Sequence, residues 1–208
     1  MAELVHGRPI VATTETVTGE DWYDEDLSGR KYEHVQFVDQ DLADSTSSSG
    51  FELTECVLRR AHFNQSAHTG AAFANCTFID CELFGAAFTD CKFIGSTFLR
   101  CRFTQLTVRG GDWSFVTLPG ADLRTATFER VRMHEADLTG ARLNGATLLG
   151  VDLARAMLDK SDLAGADLRG SDLTSLDPRT ANVPGTIVDW QQAVTIATNL
   201  GLDVRADG

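Results

Sequence analysis

The segment that decides the fold runs Cys76-Thr-Phe-Ile-Asp-Cys81-Glu-Leu-Phe-Gly-Ala-Ala-Phe-Thr-Asp-Cys91-Lys-Phe-Ile-Gly-Ser-Thr-Phe-Leu-Arg-Cys101. Its four cysteines invite a reading as metal ligands, and Cys76 and Cys81 do show a C-x₄-C spacing. A zinc site would need ligands that converge on one point, usually with a second closely spaced pair. Here each cysteine instead stands a multiple of five residues from the others. Phe78, Leu83, Phe88, Phe93 and Phe98 keep the same step two residues later.

The step extends far beyond this segment. Of the 25 positions taken every fifth residue from Leu53 to Leu173, 24 are apolar, and His68 is the exception. The lane two residues earlier is small: 23 of its 25 positions are Ala, Ser, Cys, Gly or Val, with Phe51 and Leu106 departing. All five cysteines (Cys56, Cys76, Cys81, Cys91, Cys101) fall in that lane, where a free thiol packs as a small hydrophobe. They read as packing residues, and His68 reads as a hydrogen-bonded core histidine.

A period of five suits neither a helix nor a flat strand. It suits a chain that turns a corner every five residues, with one large and one small side chain inward. Glycine recurs two residues after the large position, and Leu118-Pro119-Gly120-Ala121 places Pro and Gly at the centre of a type II turn. Four corners close a coil of about 20 residues, and coils stack as a solenoid. An earlier stretch keeps the step through Val17, Trp22, Leu27, Tyr32, Phe37 and Leu42, but Leu42 and Leu53 are eleven apart. One extra residue therefore lies within 43–50.

The A-D-L-x-x runs, such as Ala121-Asp122-Leu123, Ala136-Asp137-Leu138 and Ala166-Asp167-Leu168, resemble the pentapeptide-repeat family over roughly Glu15 to Asp177. The resemblance implies an all-β fold, a right-handed quadrilateral parallel β-helix. An N-terminal extension, 1–14, precedes the β-helix, 15–180. A C-terminal segment, 181–208, follows it. There Asp189 caps a short α-helix, and Trp190, Ala193, Val194, Ala197 and Leu200 form an apolar stripe suited to capping or to pairing with a second copy.

Charge bounds the function. The 208-residue chain carries a formal −12, which disfavours direct nucleic-acid binding. No apolar run is long enough to span a membrane. The N-terminus has no signal-peptide apolar region, and an odd cysteine count suits reduced thiols, so a cytoplasmic location is expected. No Walker, HExxH or G-x-S-x-G pattern is present, so no enzyme activity and no cofactor are expected. The acids that precede the large lane, Asp112, Asp122, Asp137, Asp152, Asp162, Asp167 and Asp172, are the candidate partner-binding face. Residues 1–55 are net −10, residues 56–111 net +3 and residues 112–208 net −5.

Thr18–Leu27, Asn75–Phe78, Leu106–Asp112 and the Asp189–Leu200 helix are similar to the MfpA branch of the Qnr/MfpA group. That likeness implies a homodimeric rod joined at its C-terminus, which binds DNA gyrase, inhibits it and protects it from fluoroquinolones. The chain has no insertion that matches the protruding loops of the Qnr members, and its basic middle third departs from a DNA-like surface. A repeat scaffold for another protein partner is the alternative reading.

Overall fold

A computed structural model describes residues 4–5 and 8–205; the expected extension 1–14 lies partly outside the described residues. The five-residue step becomes a square coil. Large side chains of successive coils stand directly above one another: Phe78 pairs with Leu58 below and Phe98 above in parallel register. Phe88 does the same with His68 and Val108. The result is a parallel β-solenoid of about seven turns with three parallel ladders of three, five and six strands. The second of the four faces is held by isolated bridges in place of strands, such as Glu82 to Arg102 and Asp122 to Arg142. Turns at 174–175 and 178–180 interrupt the ladder, which resumes through bridges at Asn182 and Ile187 before the helix.

The interior is a column of stacked side chains. Phe78 and Phe98 stack with ring centres 4.5 Å apart and nearly parallel, Phe73 and Phe93 likewise at 4.5 Å, and the Trp113 ring centre sits 4.2 Å from that of Phe93. Each aromatic pair adds about 0.5–1.5 kcal/mol to the burial of its surface. The small lane lets the coil corners close over this column. Cys56, Cys76, Cys81 and Cys91 are buried there as free thiols, and Cys101 is half-buried. Each thiol donates to backbone carbonyls, as Cys76 Sγ does to Leu53 O at 3.2 Å.

The corners use one conformation. The residue two after the large position is left-handed, as in Gly120 at φ 65° within the Leu118–Ala121 turn. Seventeen non-glycine residues adopt it too, including Arg60, Asn75 and Arg100. The coil stacking imposes it, because the N–H at that position reaches a carbonyl of the next coil (Asn75 to Ile94, 2.9 Å). Thr125 does not have a positive φ. Its hydroxyl instead accepts from the Gln105 N–H at 2.9 Å, as the hydroxyl of Ser175, which also lacks a positive φ, accepts from the Arg155 N–H at 2.6 Å.

The extra residue lies among Ser47–Ser49. Leu27 N–H bonds Thr46 C=O, nineteen residues on, whereas Gly29 N–H bonds Ser49 C=O, twenty residues on. Ser47 continues the large lane five residues after Leu42, and the extra residue sets it directly below His68, 21 residues on. Ser47 Oγ and His68 Nδ1 are 2.9 Å apart, with His68 only 1% exposed among Phe51, Phe63, Phe73 and Phe88. This is the hydrogen-bonded core histidine expected from the lane.

The helix α1, Trp190–Asn199, closes the C-terminal end. Asp189 caps it, accepting from the Gln192 N–H, while Gln192 Oε1 accepts from the Asp189 N–H. Gln192 Nε2 donates to Leu168 O and Ser171 O at 2.7 Å each, and Asn199 Nδ2 donates to Leu176 O at 2.8 Å. These carbonyls have no further coil to pair with, so the helix satisfies them.

Candidate protein-binding surfaces

The aspartates before the large lane serve the corners first. The N–H two residues on donates to Oδ1 of each: Ser114 to Asp112 (2.9 Å), Thr139 to Asp137 (3.0 Å), Ala154 to Asp152 (3.0 Å) and Thr174 to Asp172 (2.9 Å). Asp122, Asp162 and Asp167 accept in the same way from Arg124, Ala164 and Arg169. This is an Asx turn, and it gives a structural reason for Asp in the repeat.

The coil distributes the seven over all four sides. Asp112, Asp152 and Asp172 stand on one face, Asp122 and Asp162 on a second, and Asp137 and Asp167 on the remaining two; the bridges Asp112–Arg132–Asp152 and Asp122–Arg142–Asp162 mark the first two columns. Arginines neutralise several of them. Asp122 meets Arg124 at 2.8 Å and Arg142 at 3.5 Å, Asp167 meets Arg169 at 2.7 Å, and Arg132 lies 3.8 Å from both Asp112 and Asp152. The Arg124 and Arg169 hydrogen bonds hold the Asp122 and Asp167 carboxyls below their usual range. Among the described residues, Asp137, Asp162 and Asp172 form no ion pair within 4 Å.

The basic middle third is likewise compensated. Arg60 pairs with Asp39, Arg100 with Asp80, Arg102 with Glu82 and Arg109 with Glu129, each one coil away. Such exposed pairs contribute little stability, but they flatten the field that a partner meets.

The strongest uncompensated charge lies at the N-terminal end. Asp21, Asp24, Asp26, Asp41 and Asp44 form no ion pair with a base among the described residues. Tyr23, 54% exposed, stands among them, and Asp44, Asp24 and Asp41 raise its hydroxyl above the ordinary tyrosine range. The net −10 of residues 1–55 was the sequence signal for this pole; its clustering needed the coil, which places Asp41 directly on Asp21.

At the opposite end the apolar stripe of α1 faces away from the solenoid. Trp190 is 75% exposed, Ala193, Val194 and Leu200 are exposed and Ala197 is half-buried. Gln192, Ile196 and Asn199 take the inward side instead. Ile187, Leu202 and Val204, on the segments flanking the helix, are exposed as well. Exposed apolar patches of this kind are candidate contact sites. No helix among the described residues is long and apolar enough to cross a membrane.

The solenoid thus carries an anionic pole at one end and an exposed apolar helix at the other, and the Ser47–His68 contact is sealed in the core. The profile described as pentapeptide repeats matches in eight copies over residues 52–93, 114–145 and 136–174, and the chain belongs to that family. No curated protein matches the sequence. Solved structures that share the fold include HetL of the cyanobacterium Nostoc sp., described as a pentapeptide repeat protein involved in heterocyst differentiation regulation. It is 21% identical over 84% of this chain and 86% of its own, with a TM-score of 0.44. Full-length QnrB1, described as a plasmid-mediated fluoroquinolone resistance protein, is 19% identical over 90% of this chain and 100% of its own, with a TM-score of 0.47.

Proposed function

We propose that this chain pairs with a second copy through α1 and acts as an anionic rod that occupies the DNA-binding saddle of DNA gyrase, inhibiting it and shielding it from fluoroquinolones. The observation that carries the reading is the polarity of the rod. The unpaired acids crowd the end opposite the exposed apolar helix. Joining two copies at the helix sets an anionic pole at each end of one long particle. Seven turns at about 4.8 Å give about 34 Å per copy and about 70 Å for the pair. The pair carries twice the formal −12 of the chain, about one charge per 3 Å, against one per about 1.7 Å in duplex DNA. Asp137, Asp152, Asp162 and Asp172 extend the acid toward the centre of such a dimer. Gyrase as the partner rests on the sequence likeness of Thr18–Leu27, Asn75–Phe78 and Leu106–Asp112 to the MfpA branch.

A supercoiling assay tests it: gyrase and relaxed plasmid, titrated with the protein, with and without a fluoroquinolone. Loss of supercoiling at micromolar protein or below, or fewer drug-stabilised breaks, supports the reading. Full gyrase activity and unchanged drug breaks at a large excess of protein would transfer the surfaces to another protein partner.

A further inference from the structure

A surface recess of about 590 Å³ lies at the Thr125 corner, lined by Arg102, Thr104, Asp122, Arg124, Thr125 and Asn144, with Cys101 at its wall. Cys101 is the one cysteine that is not fully buried. One coil below it in the same small lane stands Cys81, brought into register by the Glu82–Arg102 bridge and the Arg102 N–H to Cys81 C=O bond of 2.9 Å. Successive parallel coils lie about 4.8 Å apart, inside the roughly 4.4–6.8 Å Cα window of a disulfide. Cys56 and Cys76 form a second stacked pair, but both are sealed in the core; Cys91 has Ala71 below and Gly111 above and no thiol neighbour.

We propose that Cys101 is an oxidant-accessible modification site and that Cys81 is its resolving thiol. The oxidant is a hydroperoxide, taken here as hydrogen peroxide. The Cys101 sulfur attacks one peroxide oxygen, the O–O bond breaks, and the thiol proton leaves with the second oxygen as water. The sulfenic acid so formed is attacked by the Cys81 sulfur. Its hydroxyl departs with the Cys81 proton as a second water, and the S–S bond joins adjacent coils. Two thiols are thereby oxidised and one peroxide reduced to two waters. Burial pushes the Cys101 thiol above its ordinary range, so its thiolate fraction is small and its oxidation needs sustained oxidant.

The test treats the folded protein with hydrogen peroxide and follows intact mass and proteolytic fragments. The expected result is a loss of about 2 Da, restored by dithiothreitol, with Cys81 and Cys101 in one cross-linked fragment. Cys91→Ala leaves the yield unchanged. Cys81→Ala stops at a Cys101 sulfenic acid that dimedone traps. Thr125→Gly allows the left-handed corner, narrows the recess and slows maleimide labelling of Cys101 several-fold. The proposal is overturned if Cys101 labels no faster than Cys91 under native conditions. It is equally overturned if Cys56 and Cys76 cross-link first, or if the wild-type Cys101 passes to sulfinic acid without joining Cys81.

Discussion

Replacing His68 with phenylalanine isolates the contribution of the buried histidine in the large lane. His68 is buried among four phenylalanines, and its Nε2 has no hydrogen-bond partner. Desolvation lowers its pKa from 6.5 to about 4. The unfolded chain therefore takes up a proton near pH 6.5 that the folded chain refuses until about pH 4. Stability is fully present above pH 6.5 and falls as pH drops through that window. The difference of 2.5 pH units at about 1.4 kcal/mol each corresponds to about 3 kcal/mol. Asp39, Asp80, Asp122, Asp167 and Asp177 are lowered from 3.8 by their arginine partners, so they lose their contribution only below that range. The two effects separate by pH. Phenylalanine fits a lane in which Phe88 already stacks on the ring 5.6 Å away. Ser47→Ala should accompany it, because an orphaned buried hydroxyl costs about 1–3 kcal/mol. Urea unfolding at pH 7.5 and pH 5 is the assay: the wild type should lose about 2 kcal/mol between them, and the Ser47→Ala/His68→Phe variant much less. An equal loss in both proteins would show that His68 is not the source of the slope.

Trp190→Glu should convert a dimer to a monomer in light scattering without loss of the fold, because Gln192 and Asn199 still cap the last coil; a dimer that persists would remove α1 from the interface. Reversing Asp24, Asp41 and Asp44 to lysine should weaken gyrase inhibition at least about ten-fold, through loss of charge complementarity. Reversing the neutralised Asp122 should affect inhibition less, and the opposite order in the supercoiling assay would refute the assignment of the N-terminal pole. Gly111→Ala should cost about 3 kcal/mol or more, since its Cβ would overlap the Cys91 carbonyl oxygen at a left-handed residue. Gly120→Ala, with nothing within 4 Å of its Cβ, should cost about 1 kcal/mol. Thermal melts that rank the two the other way would count against the coil spacing.

The sequence by itself determined the solenoid. Whether a side chain points inward or outward is set within each five-residue unit by size and turn chemistry, so Phe78, Cys76 and Gly120 announce their places without reference to the rest of the chain. It also located the phase break to within a few residues of Ser47–Ser49. Only the tertiary structure decided which charges survive. Arg102 reaches Glu82 one coil away, while Asp122 is held first by Arg124 two residues on and then by Arg142 one coil away; the 20-residue period allows such pairs, and side-chain geometry decides which of them form. The roll of α1 was likewise beyond the amphipathic pattern. The pattern marks Trp190 and Val194 as a stripe suited either to capping or to pairing with a second copy; the open carbonyls of Leu168, Ser171 and Leu176 require amide donors, and Gln192 and Asn199 supply them. Hydrogen-bond completion at the end of the coil stack outweighed apolar burial, and it left the stripe facing outward.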